Sequence, residues 1–212
     1  KKSRIGFLVC AVLICISGAA LQFDLFGVET YIPDAENVKY MRVDANYRGY
    51  DLEIYPEDAG YADRIDLSRD ILKIAVIERH KNTRHIGIGY LKGYGLKEGA
   101  VATSVAHDSH NIICVGAGDE DMAFAANRVA ENRGGIVVVS GGKVLSELSL
   151  EIAGLMSDRP LTEVNRLLED AKEAAYALGV GKDIDPFMTL SFMSLPVIPT
   201  LRLTTRGVVD VF

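Results

Sequence analysis

Two of the chain's four histidines fall within five consecutive polar residues, His107, Asp108, Ser109, His110 and Asn111. The runs on either side, Gly99–Ala106 and Asn111–Gly116, are apolar and strand-like, and such segments go to the interior. The polar side chains between them must reach water at a strand end, or be satisfied by hydrogen bonds or a metal. Neutral imidazoles bind transition metals, and Asp108 is placed to ligate or orient one, so His107 and His110 are the candidate metal ligands. Spacing sets a condition on that reading. In a continuous strand residues i and i+3 face opposite sides, so the two imidazoles converge only if the chain turns, or a helix starts, at Asp108-Ser109. The competing reading is a hydrogen-bonded cluster that fixes a strand end.

A second concentration of acid follows at Gly116-Ala117-Gly118-Asp119-Glu120-Asp121. Asp119 reads as a helix N-cap, and the acids after it complement the helix dipole. A phosphate would be repelled from that end, which leaves Glu120 and Asp121 as structural capping residues or as holders of a cation or amine. Gly87-x-Gly89-x-x-x-Gly93 has one residue too many for a dinucleotide fingerprint, and a strand rather than a helix is expected after it. His80 and His85 flank a hairpin turn expected at Lys81–Thr83 and read as solvated. Cys114 lies in a strand-like run and reads as a small buried hydrophobe. Met156 in the run Gly154–Asp158, and Phe187 and Met188 after Asp185-Pro186, read as packing residues or as the lining of a pocket.

The elements that position these residues follow from periodicity. Strands are expected at Leu72–Arg79, Ile86–Leu91, Ala100–Val105 and Ile112–Val115, a helix near Glu120–Asn132, and a hairpin of Ile136–Val139 with Val144–Leu148, turned by Gly141-Gly142. A second helix is expected over Leu161–Leu178, starting at Pro160 or Thr162 and ending before Gly179, with Leu161, Val164, Leu167, Leu168, Ala171, Ala175 and Leu178 on one face. Pro196 and Pro199 exclude a central strand between them and imply an edge or covering segment. Strands followed by helices without regular alternation give an α+β class: mixed or antiparallel sheet layers with two main helices, preceded by an N-terminal hydrophobic helix.

That preceding segment is the run Ile5–Leu21, seventeen residues with Ser17 as its only hydroxyl, behind Lys1, Lys2 and Arg4. At 1.5 Å per residue it would span roughly 25 Å, short for a bilayer core and long for a secretory signal. Residues 24–63 carry ten acidic and three basic side chains, so charge asymmetry predicts a cytoplasmic N-terminus. A buried core helix is the alternative. The expected division is a signal- or anchor-like segment at 1–23, an acidic linker with short strands at 24–65 and a main domain at 66–212. A net charge of −6 argues against a nucleic-acid partner, and three cysteines give no disulfide framework.

The blocks DILKIAVIERH, GLKEGAVATSVAHDSHNIICVG, LEIAGLMSD and PFMTLSFMSLPVIPTLRLTTRGVVDV, in that order from about Asp66 to Phe212, resemble the C-terminal domain of microbial adenine deaminases. The resemblance implies a parent hydrolase of the amidohydrolase superfamily that converts adenine and water to hypoxanthine and ammonia, and that uses a divalent metal, Mn or Fe. It implies adenine and an amidohydrolase barrel domain as partners, and a cytoplasmic setting. The barrel holds its metals on a His-x-His pair with further histidines and carboxylates. No His-x-His pair occurs here, and no alternation of strands and helices is long enough for a barrel of about 250 residues. This chain is then expected to be an accessory part, inactive alone. The resemblance also places His107–Asn111 near a functional cleft, where contact with adenine, with a metal, with the barrel mouth or with a second copy of the chain stays open. The competing expectations are a membrane-tethered, noncatalytic domain that binds a purine, metal or partner, and an accidental fusion without coherent function.

Overall fold

Alternation of apolar side chains along the strands sets the architecture. In β2 (Ile71–Ile77) every residue is buried; Leu72, Ile74 and Val76 join one core cluster, and Ala75 and Ile77 the other. That is the period-two consequence of an extended backbone covered on both faces. The protein is described by a computed structural model, in which residues 40–42, 65–81, 83–198 and 200–211 are placed.

β2 pairs antiparallel with β3 (Ile86–Lys92) on one side and β5 (Ile112–Gly116) on the other. The antiparallel ladder continues through β4 (Ala100–Thr103), β6 (Gly135–Ser140) and β7 (Lys143–Ser149). A short β1 (Tyr40–Arg42) adds to β3 in parallel, completing a seven-stranded sheet of order β1-β3-β2-β5-β4-β6-β7. The α+β class holds, and the sheet is mixed only at β1.

One face is covered by α1 (Asp119–Glu131), which brings Met122, Ala125, Ala126 and Val129 against Ala100, Ala102, Cys114 and Val137. The other face is covered by α2 (Leu161–Ala177), α3 (Pro186–Met193) and a separate antiparallel hairpin of β8 (Thr200–Thr204) and β9 (Gly207–Val211). Burying each large aliphatic side chain contributes about 1.5–3 kcal/mol. The covering layers therefore lock the sheet.

Several expectations need correction. There are three α-helices among the described residues rather than two. α3 escaped notice because it is apolar almost all round, with Phe187, Leu190 and Met193 buried together with Thr189 and Ser191, so it has no polar face to mark its period. Asp185 caps it by accepting from the Phe187 and Met188 amides, with Pro186 in the first turn. Gly118, not Asp119, is the N-cap of α1; the Asp119 carboxylate is drawn to the Lys73 ammonium at 2.6 Å instead. Leu161 is 82% exposed, because it opens α2 beyond the reach of the sheet. β2 ends two residues early, where Glu78 accepts from the amides of His80, Lys81 and Thr83 and turns the chain. β4 stops at Thr103, whose hydroxyl accepts from the Val105 amide.

The glycines of β3 find their reason in the β8–β9 hairpin. A Cβ at Gly87 would lie 1.7 Å from the Thr204 carbonyl oxygen, so only glycine lets the hairpin sit on the strand. The turn expected at Gly141-Gly142 joins β6 to β7 with both residues at positive φ. Cys114 is fully buried, its thiol donating to the Met122 carbonyl and pushed up in pKa by burial.

The apolar run Ile5–Leu21 with Cys10 and Cys15, and the acidic segment apart from β1, up to residue 64, lie outside the described residues. No described helix is long and apolar enough to cross a membrane.

Candidate functional site

The strand register brings several connections to one end of the sheet. Ile77 stands opposite Ile112, Thr103 opposite Ile113 and Ile136, and Gly135 opposite Ser149. Residues 78–81, 83–85, 104–111, 132–134 and 150–160 therefore emerge side by side. The run His107–Asn111 occupies the middle of this end.

The condition set by its spacing is met. The chain turns at residues 107–109, the His110 amide donates to the Ala106 carbonyl at 2.6 Å, and His110 adopts φ +49°. His107 and His110 consequently face each other edge-on, ring centroids 6.0 Å apart. Phe192 of α3 backs His107 at 5.5 Å. Ser191 donates to the Val105 carbonyl and Ser194 to the His107 carbonyl, so the end of α3 holds the loop from below. Asp108 and Ser109 are exposed, while Asn111 is buried and its side-chain oxygen accepts from the Arg79 amide at 3.4 Å.

Two residues that sequence reasoning left out belong to this cluster. His80, read as solvated, is exposed but has its Nε2 2.7 Å from the Ser109 carbonyl oxygen. Arg79 donates from Nε to the His110 carbonyl at 2.5 Å and from a terminal nitrogen to the Ala153 carbonyl at 2.7 Å. The guanidinium thus ties the loop 104–111 to the turn 150–157. That turn is anchored again by Ser104, which donates to the Gly154 carbonyl at 2.6 Å and accepts from the Gly135 amide at 2.8 Å. The signal for Arg79 and His80 was positional: they follow an apolar run that pairs with the run after His110.

Burial holds the His110 imidazole below its ordinary pKa, and the neighbouring His107 and Arg79 push it the same way, with Asp108 opposing. Its Nδ1 is buried without a hydrogen-bond partner among the described residues. A neutral imidazole can accept a proton or ligate a metal. Yet no group of three or more His, Cys, Asp or Glu side chains is close enough to hold a metal among the described residues, and the cationic Arg79 guanidinium is held at the His110 carbonyl. Two imidazoles fall short of the three protein ligands of a catalytic zinc centre.

Glu120 and Asp121 are not part of this arrangement. They lie at the opposite end of the sheet, beyond Gly116, where Asp121 accepts from the Gly141 and Gly142 amides at 3.0 and 2.9 Å. Glu120 is exposed in the first turn of α1. The structure therefore divides the sequence-derived candidates into a histidine end and an acidic end.

Comparison with known proteins places this geometry in context. The family model described as the adenine deaminase C-terminal domain matches residues 51–212. An adenine deaminase of Desulfatibacillum aliphaticivorans is 56% identical over 146 residues, covering 69% of this chain and 26% of that protein. Those of Bacillus licheniformis and Brucella abortus are 49% identical over 146 residues and 51% over 162 residues, covering 69% and 76% of this chain and 26% and 27% of their own. The chain spans about a quarter of the length of the curated relatives it matches.

Proposed function

Because the chain belongs to the adenine deaminase C-terminal domain family, we propose that it is the accessory part of an adenine deaminase, acting with a metal-bearing amidohydrolase barrel outside residues 66–212. The reaction is hydrolytic: water adds at the amino-bearing carbon of adenine, the C–N bond breaks, and hypoxanthine and ammonia leave. A divalent metal, when bound in the barrel, would activate the water. No step is assigned to a metal on this chain, whose described residues do not supply the ligands.

What this chain contributes is the histidine end of its sheet. A loop held by Arg79, His80, Ser191 and Ser194 presents His107 and His110 in a fixed mutual orientation. Set against the mouth of the barrel, it would shield the purine from water and place a neutral imidazole within reach of a proton in transit. A cytoplasmic setting belongs to the same proposal, since the substrate is a free base. The observation that carries it is the family match over residues 51–212, together with the name adenine deaminase on every relative above.

The test is ammonia release from adenine by the full chain alone, and mixed with the part of the Bacillus licheniformis enzyme that precedes its matching quarter. The chain alone is expected to be inactive, and the mixture active only when both are present. Turnover by the chain alone, or no gain in the mixture with both parts folded, overturns the proposal.

A further inference from the structure

Arg79 is where the two loops at the histidine end meet. Its Nε donates to the His110 carbonyl and its terminal nitrogen to the Ala153 carbonyl. The neighbouring Gly154 makes room for it: a Cβ there would lie 2.5 Å from one terminal nitrogen and 2.8 Å from the guanidinium carbon, in a backbone already at φ +76°. Just beyond, Ile152 and Met156 are partners in an isolated antiparallel bridge, the Ile152 amide donating to the Met156 carbonyl at 2.9 Å. Directly opposed residues in such a bridge project to the same side. Both side chains are about half exposed, at 46% and 57%. An exposed apolar pair next to a preorganised polar cluster is the pattern of an interface, with aliphatic anchors beside polar groups that fix register.

We infer that Arg79 is a positioning residue: it fastens the Ile152–Met156 turn to the His107–Asn111 loop, so that the apolar pair and the histidine pair form one rigid face on which the metal-bearing part of the enzyme docks. The inference rests on the proposed function for its partner, since the matched relatives are about four times the length of the matched segment. The guanidinium suits the task because its planar donors span two carbonyls at once, which a lysine ammonium does with less geometric control. Preorganisation lowers the ordering cost at docking, so its loss weakens association more than it slows the bound complex.

Two measurements separate this inference from the reading it rests on. In the full chain alone, amide exchange of His110, Ile152 and Met156 is followed for wild type, Arg79→Lys and Arg79→Ala. Arg79→Ala is expected to speed exchange in both loops together, with Ile113 and Val115 in the sheet unchanged and Arg79→Lys in between. Loosening of one loop only, or of neither, overturns the lock whatever the catalytic result. In the mixture with the Bacillus licheniformis part, the chain concentration giving half-maximal ammonia release is expected to rise roughly tenfold for Arg79→Ala, corresponding to the loss of charge-assisted hydrogen bonds. The maximal rate should fall less, and Met156→Ser should raise the same half-maximal concentration. An unchanged half-maximal concentration for both variants overturns the docking face. A wild-type mixture without activity, with the exchange result intact, would sink the accessory reading and the docking face but leave the lock standing.

Discussion

Ile77 stands directly opposite Ile112 in the antiparallel pairing of β2 with β5. That one register brings Arg79 and His80, two and three residues beyond Ile77, alongside His110 and Ser109, two and three residues before Ile112. A one-residue slip would turn every side chain of β2 to the wrong face. The core pattern therefore also fixes which charged groups meet at the sheet end.

Stability should depend on pH through His110. Its folded-state pKa is lowered by burial and by the nearby His107 and Arg79, while the unfolded imidazole titrates near 6.5. Between the two values the unfolded chain binds more protons, so stability rises with pH there, is fully present above about 6.5 and is lost as pH falls from 6.5 towards the folded value. Urea midpoints measured between pH 7.5 and pH 5 should decline for the wild type, and less for His110→Asn, whose side chain tolerates the positive φ. Parallel slopes for the two proteins would refute the assignment. Glu78 loses its own contribution only at lower pH. Burial raises its pKa, but the amides of Thr83, Lys81 and His80 outweigh that and hold it below the usual carboxylate value.

The Lys73–Asp119 ion pair, with side chains 8% and 24% exposed, should behave as a part-buried pair. Asp119→Ala removes a charge-assisted hydrogen bond from a mostly buried ammonium and is expected to cost about 1.5–3 kcal/mol in denaturant unfolding. Lys73→Met with Asp119→Ala should cost less than the two single changes added together. Additive losses would mean that the pair is not coupled.

Ser104 joins three segments with one buried hydroxyl. Ser104→Ala leaves the Gly135 amide and the Gly154 carbonyl without it, so a loss of about 1–3 kcal/mol is expected. Amide exchange at Gly135 should accelerate in the same variant. A thermal midpoint unchanged from wild type would show that water replaces the hydroxyl.

Much of the fold was readable because the sheet obeys local rules. β2, β3, β5 and β6 are near-continuous apolar runs between turn residues, α2 carries a helical pattern, and Gly141-Gly142 declares its turn. α3 did not, since a short helix buried on most sides has no amphipathic stripe. The β8–β9 hairpin was hidden by the prolines before it, and its seat on Gly87 is a contact between residues more than a hundred apart in the chain. At the site, the convergence of His107 and His110 was legible only as a condition, because whether five polar residues turn or run straight depends on Ser191 of α3 and Ser194 just after it holding the loop. Arg79 was marked only by its place after the apolar run of β2. Its partners are backbone carbonyls from two distant loops, and no spacing rule in a single sequence points to those.

The division of the candidate residues into two ends gives the sharpest functional contrast. Asp121 holds the β6–β7 turn through two backbone amides on the far side of the sheet from His107. Asp121→Ala should therefore lower stability by about 1 kcal/mol, the worth of surface-side hydrogen bonds to a charged acceptor, and leave ammonia release in the complemented mixture at the wild-type level once both proteins are folded. Glu120→Ala, exposed in the first turn of α1, should change neither stability nor turnover. His107→Ala and His110→Gly invert the pattern. They remove imidazoles from the proposed barrel-facing surface, and His110→Gly keeps the positive φ without strain. Both are expected to cut complemented activity by about 10²-fold, the lower range for a lost proton-transfer group, at little cost in the urea midpoint. If Asp121→Ala abolished turnover while the histidine variants kept it, the acidic end would be the functional one and the role given to His107–Asn111 would fall.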